Sequence, residues 1–239
     1  MTLPRRILVT GAALRTGRAV ASHLAKKGAV LLLHANRHVS EAQELCRSLP
    51  GNGHTVISGN LADDSDVDNI CRHAASCDGV VLNASLYRHN YSGGDPDFDR
   101  MLDTVNHFSP LRIIEAFINA PHPDGGSVVA MLDQELASGA GNPYLASRMA
   151  LWQKMKEFAC KYGKDDLRFN AILPGPMLPP PELGNTGMVK TLPTLPLRRS
   201  VSLEDVAACV ELLLSCRSLT GAALFADCGQ SLPERENQL

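Results

Sequence analysis

The stretch Val9-Thr10-Gly11-Ala12-Ala13-Leu14-Arg15-Thr16-Gly17-Arg18-Ala19-Val20 decides how this chain is read. It follows the apolar run Arg6-Ile7-Leu8-Val9 and opens a stretch of helical apolar spacing that continues through Ala25. The pattern predicts a strand, a glycine turn and a helix in succession. A helix N-terminus there presents unpaired backbone N–H groups and the positive end of the helix dipole, which together suit a phosphate. Gly11 and Gly17 carry no Cβ, so the backbone can be approached closely. A tight strand-to-helix turn with no ligand has the same pattern, and the rest of the chain must discriminate.

The 239 residues suit a single α/β domain spanning 1–239 and can bury a full core. A net charge of −2 and a pI near 6.4 give no basic footprint for nucleic acid. No apolar run reaches the length of a membrane span, and the opening residues MTLPRRILV carry no signal-peptide core. A cytoplasmic location is expected. The seven cysteines form no Cys-x-x-Cys pair and are odd in number, which fits reduced thiols. Neither they nor the eight histidines show zinc-ligand spacing, so no metal is expected.

Strand patterns fall at Arg6–Thr10, Ala29–His34, His54–Ser58, Gly79–Leu82, Ser127–Leu132, Arg168–Ile172 and Ala223–Ala226. Helical spacing covers Arg18–Lys27, Ser40–Leu49, Asp66–Cys77, Asp97–Ala120, Tyr144–Tyr162 and Leu203–Cys216, the last with Ser202 as N-cap. This alternation predicts a doubly wound parallel sheet of about seven strands, a Rossmann-type fold with helices on both faces. A proline-rich segment at about 174–197 is too long for an ordinary strand-to-helix connection. It reads as a loop covering the substrate, or as a rigid surface excursion.

The order of these motifs resembles the short-chain dehydrogenase/reductase family over nearly the whole chain. Thr10-Gly11 with Gly17 resembles its glycine turn, and Asn83-Ala84-Ser85 its Asn-Ala-Gly motif. Asn106 and Tyr144 stand where the catalytic asparagine and tyrosine do. Pro174-Gly175 follows the sixth strand, and Thr220-Gly221 with Asp227-Cys228-Gly229 resembles the terminal signature. Within the family, Arg15 in the turn, His34-Ala35-Asn36-Arg37, Tyr87 and Asp133 resemble the pteridine and dihydromonapterin reductases. The resemblance implies a small-molecule substrate, and a homo-oligomer, tetramer or dimer, built on the helices of Asp97–Ala120 and Tyr144–Tyr162.

Cofactor choice follows from charge. NAD-specific folds carry a carboxylate after the second strand for the ribose 2′-OH. Here the neighbourhood is His34 to His38 with no acid, and Arg37 can pair with a 2′-phosphate, with Arg15 adding charge nearby. NADP(H) is therefore the expected cofactor. A solvated surface arginine is the alternative for Arg37. The expected binding set is Gly11, Arg15, Thr16, Gly17, Arg37, Asn60, Leu61, Asn83, Ala84, Ser85, Pro174 and Gly175. Asn60-Leu61 stands for the family's Asp-Leu beside the adenine.

The resemblance makes Tyr144 the proton donor. A free tyrosine titrates near 10, and a cation about 4 Å away supplies nearly the anion stabilisation needed to bring it to about 7. The family's cation is a lysine one helical turn on. This chain has Arg148 there, which keeps the charge but is planar and bulkier than an ammonium. Asp133 stands where most relatives have serine. An ionised aspartate would repel a developing oxyanion but suit a substrate with N–H groups; a plain strand-end aspartate is the other reading. Asn106 is implied to hold a water, or else bonds a neighbouring backbone. Tyr87 is expected to stack on a flat substrate or to be a surface aromatic. Met177 is expected in the substrate loop. Three activities remain open: a reductase acting on C=N or C=O of a pterin-like substrate, a ketoreductase, and a non-catalytic NADP-binding protein.

Overall fold

The computed structural model describes residues 3–138, 141–178 and 186–232. Seven parallel strands form one sheet: β1 (Arg6–Val9), β2 (Val30–Ala35), β3 (Thr55–Ser58), β4 (Gly79–Leu82), β5 (Gly126–Met131), β6 (Leu167–Pro174) and β7 (Ala223–Ala226). Their order is β3-β2-β1-β4-β5-β6-β7. Each predicted strand is present within about two residues of its expected bounds. The helices are α1 (Arg15–Lys26), α2 (Val39–Ser48), α3 (Asp64–Ala74), α4 (Pro96–Asp103), α5 (Ser109–Ile118), α6 (Pro143–Tyr162), α7 (Thr186–Thr191) and α8 (Leu203–Ser215).

Period-two alternation along the strands splits the core into two layers. Leu8, Leu32, Val80 and Val128 point to one face, where Ile113 and Phe117 of α5 and Leu151 and Met155 of α6 cover them. Ile7, Val9, Leu31 and Val129 point to the other, beneath Val20 and Leu24 of α1 and Val210 and Leu213 of α8. The chain leaves β1 between β2 and β4, pairing Leu8 with Leu32 on one side and Val80 on the other. Strand order reverses there, and the loops after the flanking strands diverge to leave a crevice.

One predicted helix departs from expectation. Asp97–Ala120 is divided into α4, a π-helical turn at Thr104–Phe108, and α5. Pro110 lacks the N–H that a continuous α-helix would give to the Asn106 carbonyl, and the widened turn absorbs the defect. The proline-rich segment carries the short α7, and its residues 179–185 lie outside the described region. Among the described residues no helix is long and apolar enough to cross a membrane, and no group of three or more His, Cys, Asp or Glu is placed to hold a metal.

Candidate active site

Two loops are tied together at the crevice by a single threonine. The Thr10 hydroxyl accepts the N–H groups of Asn83 and Ala84, each at 3.0 Å. The Asn83 amide in turn donates to the carbonyls of Thr10 (3.1 Å) and Gly11 (3.0 Å). Gly11 sits at φ +64°, a conformation that glycine adopts without strain. A Cβ on Gly17 would run into the Gly11 carbonyl and lie 2.6 Å from the Asn83 amide nitrogen. Both glycines are thus required by close backbone approach.

His34, at the end of β2, supports this turn from below. The Gly11 N–H donates to His34 Nδ1 (3.2 Å), and Nε2 lies 3.0 Å from the Gly59 carbonyl. The ring is neutral with its proton on Nε2, since Nδ1 must offer a lone pair to Gly11. Burial lowers its pKa, against the opposing pull of Gly59 and the Asp66 charge.

The first turn of α1 opens into the crevice. Asp63, Asp95, Asn142 and Ser202 cap α3, α4, α6 and α8 with their side chains, whereas Leu14 before α1 offers none, and no acid stands in its first turn. Its N–H groups face a cleft of about 460 Å³ lined by the glycine turn, by Ala35 to His38, and by Asn83, Ala84 and Ser85. Two arginines, Arg15 and Arg37, and no carboxylate line it. Arg37 is exposed at the rim. Arg15 is held at φ +50° and reaches the Leu178 carbonyl (3.4 Å), while the Thr16 hydroxyl lies 3.9 Å from Met177 Sδ. Met177 therefore lies against the phosphate-type turn, joining the cleft to the proline-rich segment.

Four other expected cofactor residues stand outside the lining of this cleft. Asn60 accepts from the amide of the cleft-lining Asn36 (3.3 Å) and from the Ala62 N–H (3.0 Å). Leu61 is a core residue whose carbonyl accepts from Ser109. Pro174 ends β6, and Gly175 lets it pass Asp227, where a Cβ would come within 2.8 Å of the Asp227 backbone. None of the four lines the cleft.

The reactive end lies beyond β5. Asp133 Oδ1 accepts the Glu135 N–H (2.9 Å), starting a tight turn over Gln134–Ser138. Its Oδ2 accepts from the Tyr144 hydroxyl at 3.4 Å. The Tyr87 ring meets Tyr144 edge-on at 5.0 Å and is 55% exposed. Arg148, one turn beyond Tyr144, is 1% exposed and is the largest fully buried side chain among the described residues. Its Nε and Nη1 are buried without a hydrogen-bond partner. A buried, unpaired guanidinium is unfavourable by several kcal/mol, so these donors await an acceptor.

The electrostatics correct the expectation that one cation would bring Tyr144 towards neutrality. Burial, reinforced by the Asp133 carboxylate, pushes the Tyr144 pKa up to about 12, and Arg148 offsets only part of this. Burial raises Asp133 as well, against the Glu135 N–H and the Arg148 charge. Burial in turn pulls Arg148 down. Tyr144 is thus held as a neutral phenol, able to donate a proton.

Asn106 is fully buried in the π-helical turn. Its side chain clamps the Leu86 backbone, accepting from the N–H at 2.7 Å and donating to the carbonyl at 2.9 Å. The bond to a neighbouring backbone expected for Asn106 is present, and it positions the segment that carries Tyr87. Thr10 and His34 were missed as site residues. A histidine near the end of an otherwise apolar strand was the available signal.

The comparisons agree with this architecture. A sequence model of the family described as enoyl-(acyl carrier protein) reductase matches residues 11–231. The chain belongs to the short-chain dehydrogenase/reductase family and is an oxidoreductase of that family. Its fold superposes with a TM-score of 0.89 on FolM alternative dihydrofolate reductase 1 from Brucella canis, solved with NADP, at 27% identity over 98% of this chain and 96% of that one. It is 26% identical over 228 residues to the 3-oxoacyl-[acyl-carrier-protein] reductase FabG of Aggregatibacter actinomycetemcomitans, covering 87% of this chain and 90% of that one. A hydroxynaphthalene reductase-like protein Arp2 from Metarhizium brunneum is 28% identical over 180 residues, 70% of this chain and 66% of the relative.

Proposed function

We propose that this chain is an NADPH-dependent reductase acting on a C=N or C=O carbon of a planar, pterin-like heterocycle. The observation that carries the reading is the Tyr144 hydroxyl bonded to Asp133, beside a buried Arg148 with unmet donors. The cradle fits a dinucleotide. The open N-terminus of α1 with Gly11 and Gly17 suits a pyrophosphate, and Arg37 with Arg15 suits a 2′-phosphate. The unmet Arg148 nitrogens suit hydroxyl acceptors of the nicotinamide ribose. When bound, NADPH supplies the hydride. Tyr144 donates the accompanying proton, Arg148 stabilises the phenolate that forms, and Asp133 accepts an N–H from the substrate or passes it a proton. Tyr87 offers a half-exposed ring beside Tyr144 for a flat substrate. The NADP complex of the FolM relative, named as an alternative dihydrofolate reductase, supports this choice of cofactor and substrate class.

A carbonyl substrate is the second reading, favoured by the similarity to the FabG relative. The exposed Met101 and Phe108, on α4 and the π-helical turn, support a homo-oligomer formed across that face.

The test is NADPH consumption against dihydropterins, dihydrofolate, quinones and ketones, with NADPH binding titrated in parallel. Pterin or folate turnover supports the first reading, and turnover of ketones alone supports the second. Binding without turnover by wild type and Arg148→Lys would establish a non-catalytic nucleotide-binding protein. A gain in turnover on Arg148→Lys would identify the arginine as a brake on the chemistry.

A further inference from the structure

Besides Arg15 and Arg37, the lining of the nucleotide cleft has one further side chain able to carry positive charge, His38. It immediately precedes α2 and is exposed, with its Nδ1 2.9 Å from Glu41 Oε1. Glu41 is committed to this contact. Its other oxygen accepts from the Ser40 hydroxyl at 2.9 Å. The His38 hydrogen bond above all, then the Glu41 backbone and Ser40, hold the Glu41 carboxyl down at about 2. It is therefore a carboxylate throughout the neutral range.

That contact fixes the tautomer of His38. A carboxylate only accepts, so Nδ1 carries the proton. In the neutral ring Nε2 is then a bare lone pair, and among the described residues it has no hydrogen-bond partner. A neutral ring offers a phosphate only that lone pair, with the Glu41 charge behind it. Protonation turns Nε2 into an N–H donor on a cation that Glu41 supports. Imidazole is the side chain that makes this change between pH 5 and 8. The other charged groups near His38 are Arg15 and Arg37, which share the cleft lining with no acid. In β2 and β3, packed against α2, the one titratable side chain is His34, whose ring is turned to Gly11 and Gly59.

We propose that His38 makes the 2′-phosphate subsite proton-coupled: NADPH binds together with a proton that His38 Nε2 takes from solvent, and the preference for NADPH over NADH strengthens as the pH falls through neutrality. This inference rests on the NADPH reading above. The new Nε2–H bond is the only bond made, and solvent supplies its proton. A dianion beside the ring favours the charged imidazolium, so binding draws a proton in. The phosphate itself has the opposite sign. Its second ionisation lies near 6, and the arginines favour its dianion, so it releases a proton on binding. Net uptake is thus the signature of His38.

The test is isothermal titration of NADPH and NADH into wild type, His38→Gln and His38→Lys, in two buffers of different ionisation enthalpy, which reads affinity and proton exchange together. In wild type the NADPH-over-NADH preference should fall about tenfold between about pH 6.5 and pH 8.5, with net proton uptake midway. His38→Gln should show the weak high-pH preference throughout and no uptake. His38→Lys should keep the strong preference across the range. The same pH dependence in wild type and His38→Gln, or net proton release by wild type, would overturn the role of His38 and leave the NADPH reading standing. So would a His38→Lys protein no more selective than wild type at high pH. A wild type that binds NADPH no more tightly than NADH at any pH would overturn the NADPH reading, and the proposal with it.

Discussion

The glycine turn and the Tyr144–Arg148 site are built on opposite principles. At the turn, Thr10, Gly11, Asn83 and His34, with the backbone of Ala84 and Gly59, are joined through six hydrogen bonds, with only small or neutral groups. The geometry is complete before any ligand arrives. At the other end a buried guanidinium lacks partners, a carboxylate and a phenol lie 3.4 Å apart, and burial works against both charges. One end is preorganised by the backbone. The other is left electrostatically incomplete, as expected of a site where ligand groups complete the network.

Tyr144→Phe breaks the comparison most sharply. It should lower kcat by about 100- to 10,000-fold while leaving NADPH affinity within about twofold, because only the reactive end loses a group. Gly17→Ala should do the reverse. Its Cβ meets the Gly11 carbonyl and the Asn83 amide, a backbone clash of about 2–3 kcal/mol, or roughly 100-fold in NADPH affinity by isothermal titration. Arg37→Ala should weaken NADPH about tenfold through loss of a charged hydrogen bond and leave NADH binding unchanged. That difference separates a phosphate ligand from a solvated surface arginine.

The smallest expected effect concerns His34. Its folded-state pKa lies below the unfolded value of about 6.5. The stability it contributes is therefore present above that value and lost as the pH falls towards the lowered folded value. Urea denaturation at successive pH values should show stability declining on the acid side of neutrality, with a flatter profile for His34→Gln. A profile unchanged by the substitution would remove His34 as the neutral support of the turn.

The sequence conveyed the two ends unequally, for a physical reason. Strands and helices announce themselves through burial periodicity, and the glycine turn through steric demands that few residues meet. Gly11, Gly17 and Asn83 were legible in this way. Charge interactions depend on distance and solvent exposure, which residue order does not carry. Tyr144, Arg148 and Asp133 were recognised as a group, but the direction of the Tyr144 shift was misjudged because its burial and the Asp133 contact were not visible. The π-helical turn at Thr104–Phe108 was missed although Pro110 signalled it. Asn60 and Leu61 were placed by motif position alone; the fold sets Asn60 against the cleft-lining Asn36 and Leu61 in the core.

The most direct measurement is the melting temperature of wild type and Arg148→Met, each with and without saturating NADPH. Replacing an unpaired buried ion by an apolar side chain should stabilise the protein by about 1–4 kcal/mol, a rise of roughly 5 °C without ligand. NADPH should raise the wild-type melting temperature by more than it raises that of Arg148→Met, since only the wild type has unmet donors for the ligand to satisfy. An equal NADPH-induced rise in both proteins, with no gain in the unliganded variant, would contradict the view of Arg148 as an incomplete site finished by its cofactor.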